Sequence, residues 1–225
     1  MDLKLWNEKL KELRKIIYEP ERIDKTKELC LELHEMVHLS KMSNIKVTTF
    51  EDELWENLTE EIIRKAINEK GRTIAYGIWH STRIEDITTN ILIADRKQIF
   101  QEDIWSERIN SPIKNTGNAL TAEKILEFSK IINIGELIKY RIAVARNTRV
   151  IINNLKGTDI KRKMRKESLQ CILDEEAVEN VKEANWLIEY WGKKDVAGIL
   201  LMPVTRHHVV HINESLRAKK NGSKL

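Results

Sequence analysis

The chain has few of the residues that punctuate secondary structure, with eight glycines and three prolines in 225 positions. A sheet protein of this length needs many tight turns, which draw heavily on those two residues, so an extended β architecture is excluded. Cysteine is scarcer still. Cys30 and Cys171 lie far apart and form no CxxC pair, which excludes a disulfide framework and reads as two free thiols in a reducing cytosol. No apolar run approaches membrane-spanning length, and the opening Met1-Asp2-Leu3-Lys4-Leu5-Trp6 has no apolar core of signal-peptide length. A soluble cytoplasmic protein with no membrane partner is expected. Nor does charge of one sign dominate: 39 basic against 35 acidic residues leave a formal +4. The single concentrated run, Lys161-Arg162-Lys163-Met164-Arg165-Lys166, reads as a solvated helix face, which speaks against a nucleic-acid partner.

What the chain does hold is Leu, Ile, Lys and Glu arranged with helical periodicity, which predicts an all-α protein forming a single domain over residues 1–225. Leu3, Trp6, Leu10, Leu13 and Ile17 give an amino-terminal helix that stops before Glu19-Pro20. A second helix is expected from about Glu21 to Leu39, with Leu29, Leu33, Met36 and Val37 on one face. Thr49 reads as the N-cap of one short helix, and Asn57 or Thr59 starts the next. The next helix, roughly Thr73 to Asp95, carries Thr73, Tyr76, His80, Ile84, Ile87 and Ile91 on one stripe. Arg96 to Thr121 reads as a long crossover. Thr121 caps a short helix, and Asn133 opens a long one to Leu155, striped by Leu137, Tyr140, Val144, Thr148 and Ile151. Asp159–Lys166, Glu167–Leu173 and Ala184–Trp191 read as short surface helices. A last helix is expected from Lys194 to Lys220, with Pro203 kinking it just before His207. Four long helices joined by one long crossover suggest a four-helix bundle with extra amino-terminal and short peripheral helices.

Three of the six histidines, His207, His208 and His211, fall within five residues of one another. On a helix His207 and His211 lie about 40° apart, one turn above the other, and His208 and His211 are also about one turn apart. Either pair is spaced to hold one ion. Helical projection puts His211 well inside the apolar side and does not choose between its two neighbours. Neighbouring buried imidazoles are costly to protonate, so they are expected to be neutral and free to ligate a metal. His80, embedded in the apolar stripe of a middle helix, can meet them inside a bundle. Three imidazoles leave a coordination position open, the arrangement of catalytic rather than structural metal sites. His34-Glu35-Met36-Val37-His38 matches the HExxH pattern of zinc proteases. The apolar stripe of that segment centres near Leu33, with both histidines to its side or back, and the segment reads instead as a solvated helix face.

Ile78-Trp79-His80-Ser81-Thr82-Arg83-Ile84-Glu85-Asp86, followed far downstream by Arg206-His207-His208-Val209-Val210-His211-Ile212-Asn213-Glu214, resembles the DinB-like metal-binding bundles related to bacillithiol transferase and mycothiol-dependent maleylpyruvate isomerase. The resemblance covers roughly residues 21–220. It implies a divalent ion held by His80, His207 and His211, with zinc, nickel or iron as candidates, and it chooses His207 over His208. It also implies a transferase that moves a low-molecular-weight thiol to a small electrophilic substrate. Glu214, one turn beyond His211, is placed to orient a ligand or take a proton, and Tyr76 and Tyr140 are pocket donors. Two further functions stand beside this one: a metal-binding stress-response bundle without turnover, and a zincin-like hydrolase using His34, Glu35 and His38. Exposed faces on the additional helices leave room for a homodimer.

Overall fold

In the computed structural model, which describes residues 2–102 and 104–222, the secondary structure is helical. The described residues hold no strand, only isolated bridges that pair Ile67 with Thr73 and Lys163 with Asp195. The protein is all-α. No helix among the described residues is long and apolar enough to cross a membrane.

Each expected long segment is present, with interruptions that periodicity did not foretell. The second helix runs from Ile23 to Met36 and is entered through a turn at Pro20–Arg22. The middle helix is α-helical over Ile74–Ile87 and continues as a π-helical stretch over Thr88–Ala94. The long helix spans Ile134–Asn154. The last segment is divided into Val196–Leu201, a π-helical stretch at Met202–Arg206 that contains Pro203, and His207–Gly222. Local sequence sets the starts of these helices. Thr49, Thr59, Thr73, Thr121 and Asn133 each accept a backbone N–H from the third residue onward, satisfying a donor that the helix itself cannot.

The Ile74–Ile87 helix is central, because every one of its residues is buried. Sequence periodicity assigned it one apolar stripe, yet it has no wet face at all: the long helix and the last helix both pack against it. Its apolar residues divide between two clusters, with Ile74, Ala75, Ile78 and Trp79 in one and Ile84 and Ile87 in the other. The first lies with the crossover and the long helix, including Phe100, Trp105 and Leu137; the second lies with the amino-terminal helices, including Leu13 and Leu33. His80 falls between the two along the helix.

Polar residues of this helix fasten the crossover. Asp86 accepts the backbone N–H groups of Ile99 and Phe100 at 2.9 and 3.0 Å, and Arg83 donates to the Lys114 carbonyl at 3.0 Å and to Gln98 at 2.6 Å. The crossover is thus more ordered than expected and forms short helices at Ile99–Glu102 and Trp105–Ile109. The basic run departs in the other direction. Lys161 to Arg165 is not helical, because the Ile160 and Arg162 carbonyls accept from Ala197 and Val196 at 3.0 and 3.1 Å, capping the start of another helix instead of building their own. Helix resumes at Lys166–Asp174.

Close approach of the central and last helices depends on Gly77, where an added Cβ would sit 3.0 Å from Ser215 Oγ and 3.9 Å from the His211 carbonyl. Gly77→Val is expected to force these helices apart and to destabilise the protein by about 1–3 kcal/mol, the usual cost of overpacking. Urea unfolding of the variant checks this; an unchanged midpoint would show that the contact is not tight.

Candidate metal centres

All six histidines lie in two clusters that share the start of the last helix. The first contains His80, His207 and His211, whose ring nitrogens approach within 4.8 Å of one another. His207 Nε2 and His211 Nε2 face each other at 3.1 Å, and the His80 ring lies 5.3 and 4.8 Å, centre to centre, from these two. Ligands about a tetrahedral ion with metal–nitrogen distances of about 2.0–2.1 Å lie roughly 3.3 Å apart, so the spacing suits one ion. His80 Nδ1 donates to the Thr116 carbonyl at 2.8 Å. That bond fixes the tautomer and leaves Nε2 with its lone pair free. Thr116 is in turn held by its own N–H, which donates to the Ala177 carbonyl at 3.1 Å. The crossover therefore positions a ligand, a role with no signal in its irregular sequence.

The other nitrogen of His211, Nδ1, lies 3.2 Å from Glu214 Oε2. Glu214 also pairs with Lys70 at 2.7 Å and Arg72 at 3.1 Å, two cations contributed by the turn at 69–72. Although burial works to raise it, contact with His211 and Lys70 and the charge of Arg72 hold the Glu214 carboxyl far below the usual carboxylate range. Tyr76 stacks on the His80 ring at 5.4 Å, and its hydroxyl donates to the Gly117 carbonyl at 3.1 Å. Tyr140 lies elsewhere: its hydroxyl donates to Asp86 at 2.6 Å and accepts from Arg83 at 2.8 Å, so it belongs to the network that fastens the crossover. A pocket of ≈ 190 Å³ opens on His80 and His207, walled by Ile84, Tyr190, Trp191 and Met202.

The second cluster corrects the reading of the HExxH segment as a solvated face. His34 and His38 are 0% and 1% exposed. The helix closes at Met36, and its last turn tightens, with His38 N donating to the Glu35 carbonyl at 3.3 Å, so that the two rings meet 4.2 Å apart. Glu85 of the central helix faces them, with Oε1 2.7 Å from His34 Nε2 and Oε2 3.2 Å from His38 Nε2. His208 Nε2 reaches the same Oε2 at 3.0 Å. His34, His38 and Glu85 form a second group able to hold an ion. Glu35, the residue a zinc protease would use as its base, turns to the other flank, 3.5 Å from Arg149, so the hydrolase arrangement is not assembled. His207 and His208, between which helical projection could not choose, are both inward: one faces each cluster.

No protein-family model and no curated protein sequence matches this chain.

Burial pushes His38, His80, His207 and His211 below their ordinary value, and His208 to about 4. An unfolded histidine takes up its proton near 6.5, whereas the folded one refuses it until the pH is lower. The stabilising effect is therefore complete above about pH 6.5 and is lost as the pH falls toward the folded value. Metal-free protein is expected to lose about 1.4 kcal/mol per pH unit from His208 over this interval, with the other lowered histidines adding in the same direction. Urea midpoints measured from about pH 7 down to about pH 4 test it, and a flat profile would contradict the buried, neutral state of His208.

Proposed function

We propose that this chain is a metal-dependent enzyme of the DinB-like kind, in which a divalent ion on His80, His207 and His211 activates a low-molecular-weight thiol for addition to an electrophile. The observation that carries the reading is the opening of an apolar pocket onto two of the three converging imidazoles. Three imidazoles suit zinc, nickel or iron, and cellular supply decides among them. When bound with a position left open, such an ion supplies the positive charge that keeps a thiol or water as its anion at neutral pH.

The protein's own groups do the positioning. The Thr116 carbonyl holds His80 in the tautomer that presents Nε2, and Glu214, fixed by Lys70 and Arg72, holds the ring of His211. Because Glu214 is so strongly stabilised as a carboxylate, orientation of His211 suits it better than taking up a proton during turnover. Ile84, Trp191 and Met202 offer an apolar wall against which a small electrophile can lie while water is excluded.

Titration of Zn(II) into metal-free protein, following conjugate formation by several thiols with a model electrophile and hydrolysis in parallel, tests the proposal. Acceleration should grow with occupancy and disappear in His211→Ala and His80→Ala. Equal rates with and without the ion, for every thiol, would favour a metal-binding bundle without turnover. Glu214→Gln should weaken ion affinity by about 10- to 100-fold, with activity recovered at saturating Zn(II).

A further inference from the structure

Glu85 is a carboxylate with no contact to water. Its side chain is 0% exposed, and those of His34, His38 and His208 around it are 0–1% exposed. Its ion-pair partners are these three imidazoles, and no lysine or arginine pairs with it among the described residues. Only the His34 contact is aligned as a hydrogen bond. Glu85 Oε2, His38 Nε2 and His208 Nε2 are buried and have no hydrogen-bond partner, although they lie 3.0 to 3.2 Å apart across the carboxylate. Unpaired polar atoms gathered in a dry interior are costly, and their concentration at one point calls for a group that satisfies several together. The guanidinium that reaches His208 is committed elsewhere. Arg141 pairs with Glu51 at 2.8 Å, donates to the Val37 carbonyl at 3.2 Å and approaches the far side of the His208 ring, Nδ1, at 3.4 Å. It holds the backbone between His34 and His38 and braces His208, with the Nε2 atoms of His38 and His208 directed to Glu85.

We propose that His34, His38 and Glu85, with His208 against the same carboxylate, hold a second divalent ion whose role is structural. Imidazole nitrogens and a carboxylate oxygen are the donors that zinc and its neighbours take; one such atom from each of His34, His38 and Glu85 lies within 4.8 Å of the other two, and His208 Nε2 reaches Glu85 Oε2 at 3.0 Å. The side chains of this site are 0–1% exposed and leave no way in for a substrate, whereas the His80 set lies beside a pocket. The ion fastens the end of the second helix, the central helix and the last helix at one point. Because His207 and His208 are consecutive, the same turn of the last helix serves both centres.

The test counts ions in the full-length protein. Chelated protein reloaded with Zn(II) and desalted should retain two equivalents per chain by elemental analysis. Glu85→Gln and His34→Gln, which keep the size and polarity of the site, should each retain one, as should His211→Ala, and Glu85→Gln combined with His211→Ala should retain none. Filling the second site should raise Tm by roughly 5–10 °C at a hundredfold excess over Kd, and Glu85→Gln should lose that part of the rise. A single tight equivalent in the unsubstituted protein, removed by His211→Ala and untouched by Glu85→Gln, overturns the inference. A single equivalent removed by Glu85→Gln and kept by His211→Ala supports it, and counts instead against the His80 centre. Cobalt(II) absorption titrated into the unsubstituted protein gives the number of sites with no variant required, so a substitution that prevents folding does not decide the matter; two equivalents there support the inference, and no binding at all overturns it.

Discussion

A helix buried on every side has no wet face on which to discard polar side chains, and the central helix carries Ser81, Thr82, Arg83, Glu85 and Asp86 within five residues of one another. Each must find a partner inside the protein, and each solution fixes another segment. Asp86 and Arg83 fasten the crossover; Ser81 and Thr82 accept from Arg141 of the long helix at 3.2 and 3.0 Å; His80 reaches the Thr116 carbonyl; Glu85 gathers imidazoles from the second and last helices. The demand that orders the fold is therefore the same one that brings the histidines together.

Buried ionic groups of this kind add little stability compared with well-packed apolar residues, but removing one partner leaves an unpaired charge in a dry interior. The Arg141–Glu51 pair shows the consequence. Its guanidinium touches Ser81, Thr82, Val37 and His208 as well as Glu51, so one side chain sets the spacing between the second, central and last helices. Such a network restricts the arrangements in which all members are satisfied, and the positions of the imidazoles are restricted with it.

Helical content, the N-caps at Thr49, Thr121 and Asn133, and the proximity of His80 to the last-helix histidines were legible because each rests on local spacing or on an apolar stripe. The HExxH segment was misread for a physical reason. Its outer carboxylates do face away, Glu32 to Lys9 at 2.7 Å and Glu35 to Arg149 at 3.5 Å, but the flank between them and the Leu33 stripe is covered by other helices. A stripe analysis assumes one wet and one dry side, and fails where neighbours press from two directions. Glu85 was invisible for the same reason: nothing in Arg83-Ile84-Glu85-Asp86 says that all four are inside. Lys70 and Arg72 reach Glu214 across 144 and 142 positions of the chain, a distance over which spacing carries no information.

The π-helical stretch at Met202–Arg206 separates two α-helical pieces of what would otherwise be one rod. A wider turn accommodates a residue more than an α-helix of the same rise, so it acts as a vernier between the anchored piece at Val196–Leu201 and the turn that bears His207, His208 and His211. Shortening the chain there by one residue would rotate the following turn by about 100°, putting His208 where His207 sits and turning His207 and His211 to the exposed positions of Arg206 and Val210. The angular phase of the last helix, set beside Pro203, is thus what allots His207 and His211 to one cluster and His208 to the other.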